Sequence, residues 1–299
     1  MSSAATDRVE GSSSAVRLAA GDAEVTVLPG SGCRLGSLRI GGLELLRRQP
    51  AEPVTVPSDR VFGWGSFPMV PWAGRVDRGV FNNGPVRHRL PTDVLPPHAV
   101  HGTAATAVWR PAGPPTDREA SFVLDLGDPW PYPGRVTQRF QLEPEQLTLT
   151  LEVETRGDSF PAQVGWHPWF LRHPLGAPEG SQPVELDFAP AWQEERGPDQ
   201  LPTGRRIDPL PGPWDDCFGM PDGVRAVLDW PGLLRLTLTS DCRWAVVFDV
   251  LGDALCVEPQ SGPPNGLNTE PRMVTPIDPL EAVTVWRWER PCDERGPQD

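Results

Sequence analysis

The sequence contains no lysine; all 27 basic residues are arginine. That excludes reactions needing a lysine Schiff base and nucleotide sites built on a phosphate-loop lysine. Long apolar runs are missing too. No stretch approaches the roughly 20 apolar residues of a membrane-spanning helix. Met1 to Ser14 are small and polar without the apolar centre of a signal peptide. No long window carries a helical period, and no repeat of fixed length recurs, which disfavours a propeller or solenoid. Cys33, Cys217, Cys242, Cys256 and Cys292 are odd in number and show no C-x-x-C pair or metal-ligand spacing, so no disulfide framework is expected. A cytoplasmic protein is the expectation these absences support.

The formal net charge is -13, against a nucleic acid or anionic membrane partner, since both select basic surfaces. A small molecule or a protein remains as partner, and the oligomeric state is not readable. The 38 prolines and 30 glycines punctuate short alternating segments. Gln146 to Glu154 alternates apolar and polar residues without a break, the period of a strand with one buried face. Glu24 to Leu28, Leu35 to Ile40, Ser121 to Leu126, Arg135 to Leu142, Leu233 to Thr239, Trp244 to Val250 and Ala282 to Trp288 read the same way. Gly41-Gly42, Asn82-Asn83-Gly84 and Asp222-Gly223 are turn signals suited to reversing antiparallel pairs. Strands with one apolar face need a second sheet to cover them, so the expected fold is all-β, a large antiparallel sandwich. One domain is expected over 15–290, with loose tails at 1–14 and 291–299. The Pro-rich stretches Pro111 to Thr116, Pro174 to Gln182 and Leu201 to Pro213 read as surface loops.

Several polar residues could carry chemistry. Glu258 ends the apolar run Leu255-Cys256-Val257 before the turn-forming Ser261-Gly262-Pro263-Pro264, which places a carboxylate at the lip of a rigid strand. Arg75 follows the apolar, Pro-rich stretch Phe67 to Gly74 and offers a planar fork of donors to hydroxyls, or a tie to a carboxylate. His98 and His101 in an extended segment point to opposite faces, so at most one faces a cleft, and Gly102 lets a ligand approach closely. In Gly165-Trp166-His167-Pro168-Trp169-Phe170 a histidine lies between two tryptophans; aromatic faces stack on sugar C–H faces while an imidazole passes protons near neutral pH. Asp215-Asp216 is a paired carboxylate that could accept from hydroxyls or serve a turn.

The order of Pro71-Trp72-Ala73-Gly74-Arg75-Val76, His98-Ala99-Val100-His101-Gly102, Pro131-Tyr132-Pro133-Gly134, His167-Pro168-Trp169-Phe170, Asp215-Asp216-Cys217-Phe218 and Cys256-Val257-Glu258-Pro259-Gln260 resembles the aldose 1-epimerase (mutarotase) family. The resemblance implies a galactose mutarotase-like β-sandwich that interconverts the anomers of a free aldose without cofactor or metal. It implies Glu258 as general base and His167 as general acid, held as a charged pair, with Arg75, His101, Asp215 and Trp169 binding the sugar; Asp216 is an alternative to Asp215. Gly74, Trp166 and Trp169 depart from the usual family residues and imply a bulkier, more aromatic wall. A hexose-6-phosphate substrate would call for converging arginines, with Arg75, Arg78, Arg87 and Arg89 as candidates. A sugar-binding module without turnover is the remaining alternative.

Overall fold

The computed structural model describes residues 14–50 and 57–291; nearly all of the two expected tails, and Cys292, lie outside the described residues. Two large sheets dominate. The larger has eleven strands, ordered Val16–Ala20, Ala23–Leu28, Arg34–Ile40, Leu43–Leu46, Gly165–Leu175, Ala254–Gln260, Trp244–Phe248, Asp215–Gly219, Trp192–Arg196 and Pro202–Ile207, with Ser66–Met69 paired to Gly165–Leu175 and to Arg34–Ile40. The smaller runs Arg110–Pro111, Glu119–Leu126, Gly134–Glu143, Gln146–Glu154, Leu280–Glu289, Leu234–Ser240, Val224–Trp230 and Glu185–Phe188. Neighbouring strands are antiparallel throughout, as the alternating segments predict.

Alternation explains the core. Leu147, Leu149, Leu151 and Val153 are all 0% exposed while the residues between them are half-buried. Each such burial is worth about 2 kcal/mol against exposure, before the entropy cost of ordering the chain. These residues join Trp166, Phe170, Leu255 and Val257 of the larger sheet and Trp286 of the smaller in one hydrophobic cluster. The four described cysteines are buried free thiols. No helix among the described residues is long and apolar enough to cross a membrane.

Three local expectations need correction. Gly41-Gly42 does join the register pair Ile40 and Leu43 with both glycines at positive φ, a tight reversal. Asp222-Gly223, by contrast, carries the chain from a strand of the larger sheet, Asp215–Gly219, to one of the smaller, Val224–Trp230. The stretch from Leu201 to Pro213 is not all loop, because Pro202–Ile207 forms an edge strand; proline is tolerated there as the first strand residue. Glu258 is not at a strand lip either. The strand continues through Pro259 to Gln260 even though Pro259 has no N–H to give the ladder, and Glu258 lies inside it at 2% exposure.

Candidate active site

The site is built by register. Gly165 aligns with Gln260 and Trp169 with Cys256 on the adjacent strand, which sets residue 167 opposite residue 258. His167 aligns with Phe67 on its other side, Glu258 with Val246, and Val246 with Cys217. One row of one sheet face therefore reads Phe67, His167, Glu258, Val246, Cys217. The next row on that face reads Trp169, Cys256, Phe248, Asp215. Trp166 and Phe170 take the opposite face and belong to the core between the sheets. The expected aromatic wall thus loses Trp166 and gains Phe67.

His167 Nε2 lies 3.1 Å from Glu258 Oε1. Gln260 donates its amide to the other carboxylate oxygen at 3.2 Å, so both oxygens of Glu258 are oriented. The imidazole is held between two aromatic rings: Phe67 stacks at 4.7 Å and Trp169 at 5.3 Å between ring centroids. Trp169 is itself fixed, its indole N–H donating to the Phe62 carbonyl. His101 meets His167 edge-on at 5.1 Å.

Burial governs the charges. It lowers His167 to about 3, assisted by the positive charge of Arg34. Burial also pushes Glu258 well above the ordinary carboxylate range, as does Asp215, against the opposing effects of Gln260 and Arg75. His101 is held down by burial, by His167 and by Arg75. Burial thus opposes charge on both members of the pair that the sequence reading takes as an imidazolium facing a carboxylate.

The two histidines of the Pro97 to Gly102 stretch separate. His98 is structural: its Nδ1 accepts from the Arg78 N–H at 3.1 Å and its Nε2 meets the Asp199 carbonyl at 2.9 Å. His101 turns into the site through a left-handed backbone, φ 57°, with its N–H donating to the Gly74 carbonyl at 3.0 Å. Gly102 follows at φ 74°, and a Cβ there would lie 1.9 Å from the Val70 carbonyl oxygen. Its role is close backbone packing, not the close ligand approach expected of it.

Arg75 pairs its backbone with Val100, while its guanidinium makes no hydrogen bond or ion pair with the described residues. It lines a narrow cavity with Glu194, Arg196, Asp215, Asp216 and Cys217. Arg78, Arg87 and Arg89 do not line that cavity. Asp215 shares the sheet face of Glu258 and raises its pKa; Asp216 takes the alternate face of the strand, yet it also borders the cavity. Arg196 holds both carboxylates, at 2.8 Å from Asp215 and 3.4 Å from Asp216. The sequence reading assigned no role to Phe67, Gln260 or Arg196. The Cys256, Glu258, Gln260 alternation was a usable signal for Gln260; the others depend on pairing between distant segments. His167, Cys256 and Glu258 offer one ligand atom each within 4.8 Å of one another, and this is the set among the described residues that could converge on a metal ion.

Comparison with known proteins bears on the fold and the family. The chain is 26% identical over 216 residues to the uncharacterized protein YphB of Escherichia coli K12, covering 67% of this chain and 73% of that one. Its fold is similar to that of a galactose mutarotase-like protein from Clostridium acetobutylicum, with a TM-score of 0.79 at 17% identity over 93% of this chain and 95% of that one. It is also similar to galactose 1-epimerase from Lactobacillus acidophilus, with a TM-score of 0.73 at 18% identity over 92% and 94% of the two chains. The sequence profile of the aldose 1-epimerase family matches residues 14–209, a span that includes Arg75, His101 and His167, and with that match over more than half its length the chain belongs to the aldose 1-epimerase family.

Proposed function

We propose that the protein interconverts the α and β anomers of an unphosphorylated free aldose. The observation that carries this reading is the buried His167 Nε2 to Glu258 Oε1 contact of 3.1 Å. The anomeric hydroxyl and the ring oxygen are both bonded to C1, so a proton acceptor and a proton donor side by side reach both at once. With the sugar bound and the proton of the pair passed to His167 across their contact, Glu258 takes the proton from the anomeric hydroxyl, the C1 to ring-oxygen bond breaks as C1 becomes a carbonyl, and His167 protonates the departing ring oxygen. Rotation about C1–C2 presents the other carbonyl face. Reclosure returns both protons and yields the opposite anomer.

The pair holds one transferable proton, and ring opening moves the protein from the charge-separated to the neutral form. Burial, which favours the neutral form, therefore favours the protein state that accompanies the open-chain aldehyde. Arg75, whose guanidinium has no partner among the described residues, and His101 and Asp215 are suited to hold the hydroxyls, and Trp169 to fix the acid. Glu194, Asp215 and Asp216 outnumber Arg75 and Arg196 around the cavity, an electrostatic balance that favours a neutral sugar over a phosphorylated one.

Polarimetry tests the reading. Added to freshly dissolved α-glucose or α-galactose, the protein is expected to speed the decay of optical rotation, and Glu258→Gln to slow that catalysis by about 10³-fold. Decay at the buffer rate for every aldose and aldose phosphate tried would refute it.

A further inference from the structure

The turn between the strands Trp192–Arg196 and Pro202–Ile207 carries a strained residue at the edge of the cavity. Gln200 lies in the left-handed region at φ 67°, a conformation that glycine adopts freely and a residue with a Cβ does not. The turn closes through other groups. The Gly197 N–H donates to the Leu201 carbonyl at 2.8 Å, the Gln200 N–H to the Gly197 carbonyl at 3.0 Å, and the Leu201 N–H to the Asp199 carboxylate at 3.2 Å. The Asp199 carbonyl meets His98 Nε2 at 2.9 Å, which ties the turn to the stretch that also carries His101. Glycine at position 200 would serve such a turn without strain, so what glutamine adds is its side chain.

That side chain accepts from Arg196. Nη1 of Arg196 lies 2.8 Å from Gln200 Oε1 and 2.8 Å from Asp215 Oδ2, so both N–H groups on this one nitrogen are spent. Nε of the same guanidinium lies 3.4 Å from Asp216 Oδ1, and the other oxygen of Asp216 accepts from the Asp215 N–H at 3.3 Å. Asp216 is thereby a buttress with each oxygen engaged by the protein. The guanidinium is planar, so holding Nη1 from two sides fixes the whole fork and with it the carboxylate of Asp215. The Arg196 side chain is 33% exposed, so water competes for it, and losing an anchor lets it swing toward solvent. Asp215, Arg196 and Gln200 line the cavity together with Arg75. The strand of Asp215 is two places from that of Glu258, roughly 10 Å along the sheet, which puts Asp215 beyond the groups bonded to C1.

We propose that Gln200 is a positioning residue for sugar binding: it holds Arg196 in the orientation that presents the Asp215 carboxylate to a hydroxyl of the aldose remote from C1. The inference rests on the sugar reading above, and its test needs no turnover. Glucose and galactose are titrated by NMR into the wild type, Gln200→Gly, Asp215→Asn and the double variant, with a thermal melt recorded for each. Q200G relieves the backbone and removes the amide, so its melting temperature is expected at or above that of the wild type while Kd rises about threefold to tenfold, the loss of one hydrogen bond. In the D215N background the same substitution is expected to change Kd by less than about 1.5-fold, because its effect runs through Asp215. For active protein, KM follows Kd and kcat holds. A folded Q200G that binds as tightly as the wild type overturns the proposal, and so does an equal loss in both backgrounds. Gln200→Asn, which tolerates the left-handed backbone and leaves its amide one methylene short, is expected to match Q200G and decides the question should Q200G not fold. A wild type that binds aldose without mutarotation counts against the acid and base reading alone; one that binds no aldose refutes both.

Discussion

His98 and His101, three residues apart, have opposite occupations: both ring nitrogens of His98 are engaged by backbone groups, at 3.1 Å and 2.9 Å, while the ring of His101 lies edge-on to His167 at 5.1 Å. Substituting them separates structure from function. His98→Ala is expected to lower stability by about 1 to 2 kcal/mol by leaving a partly buried N–H and a carbonyl unpaired. His101→Asn should leave the unfolding midpoint near wild type and raise KM for the aldose. Chemical denaturation and steady-state polarimetry on both variants check this.

The Arg75 guanidinium, unlike its backbone, makes no hydrogen bond or ion pair with the described residues. Arg75→Ala should change stability by less than about 0.5 kcal/mol. Losing charge-assisted hydrogen bonds of about 1.5 to 3 kcal/mol should raise KM roughly 10- to 150-fold. A fall in melting temperature with KM unchanged would remove Arg75 from the site.

The buried pair gives an unusual pH signature. His167 is depressed from its ordinary 6.5 to about 3, so by itself it costs stability as pH falls from 6.5 toward 3. Glu258 is raised above its ordinary 4.5, so by itself it costs stability as pH climbs from 4.5 through its folded value. Between 4.5 and 6.5 the folded and unfolded pair each bind one proton and the two effects cancel. Single variants should unmask them: in that window Glu258→Gln should lose stability with falling pH and His167→Gln with rising pH, at up to about 1.4 kcal/mol per pH unit. Equal slopes in the two variants, measured by denaturant unfolding at several pH values, would contradict the burial argument.

Gly102 combines φ 74° with a position where a Cβ would meet the Val70 carbonyl oxygen at 1.9 Å. Gly102→Ala should cost more than about 3 kcal/mol and displace His101, lowering kcat/KM together with the unfolding midpoint.

The sequence carried the strands because an apolar alternation with period 2 is a local property, as Gln146–Glu154 illustrates. The placement of Glu258 was misread because Pro259 resembles a strand end, yet the ladder runs past it to Gln260. The sorting of Trp166 from Trp169, and of Asp215 from Asp216, was available in principle from the same alternation, since each pair needs only one fixed neighbour to assign its face. What no local pattern could reveal is pairing: that Phe67, His167, Glu258 and Cys217 occupy one row is a consequence of register among strands far apart in the chain. The protonation of the pair was likewise hidden, because it follows from the depth of burial.

The adjacency of the Gly165–Leu175 and Ala254–Gln260 strands has a consequence for synthesis on the ribosome. A nascent chain that has emerged through Leu175 already holds Arg75, His101 and His167, but the sheet edge beside His167 is still open. The base arrives only when the strand carrying Glu258 docks into that gap. Competence for proton transfer is therefore acquired late and in one step, and incomplete translation products carry an acid with nothing to return its proton.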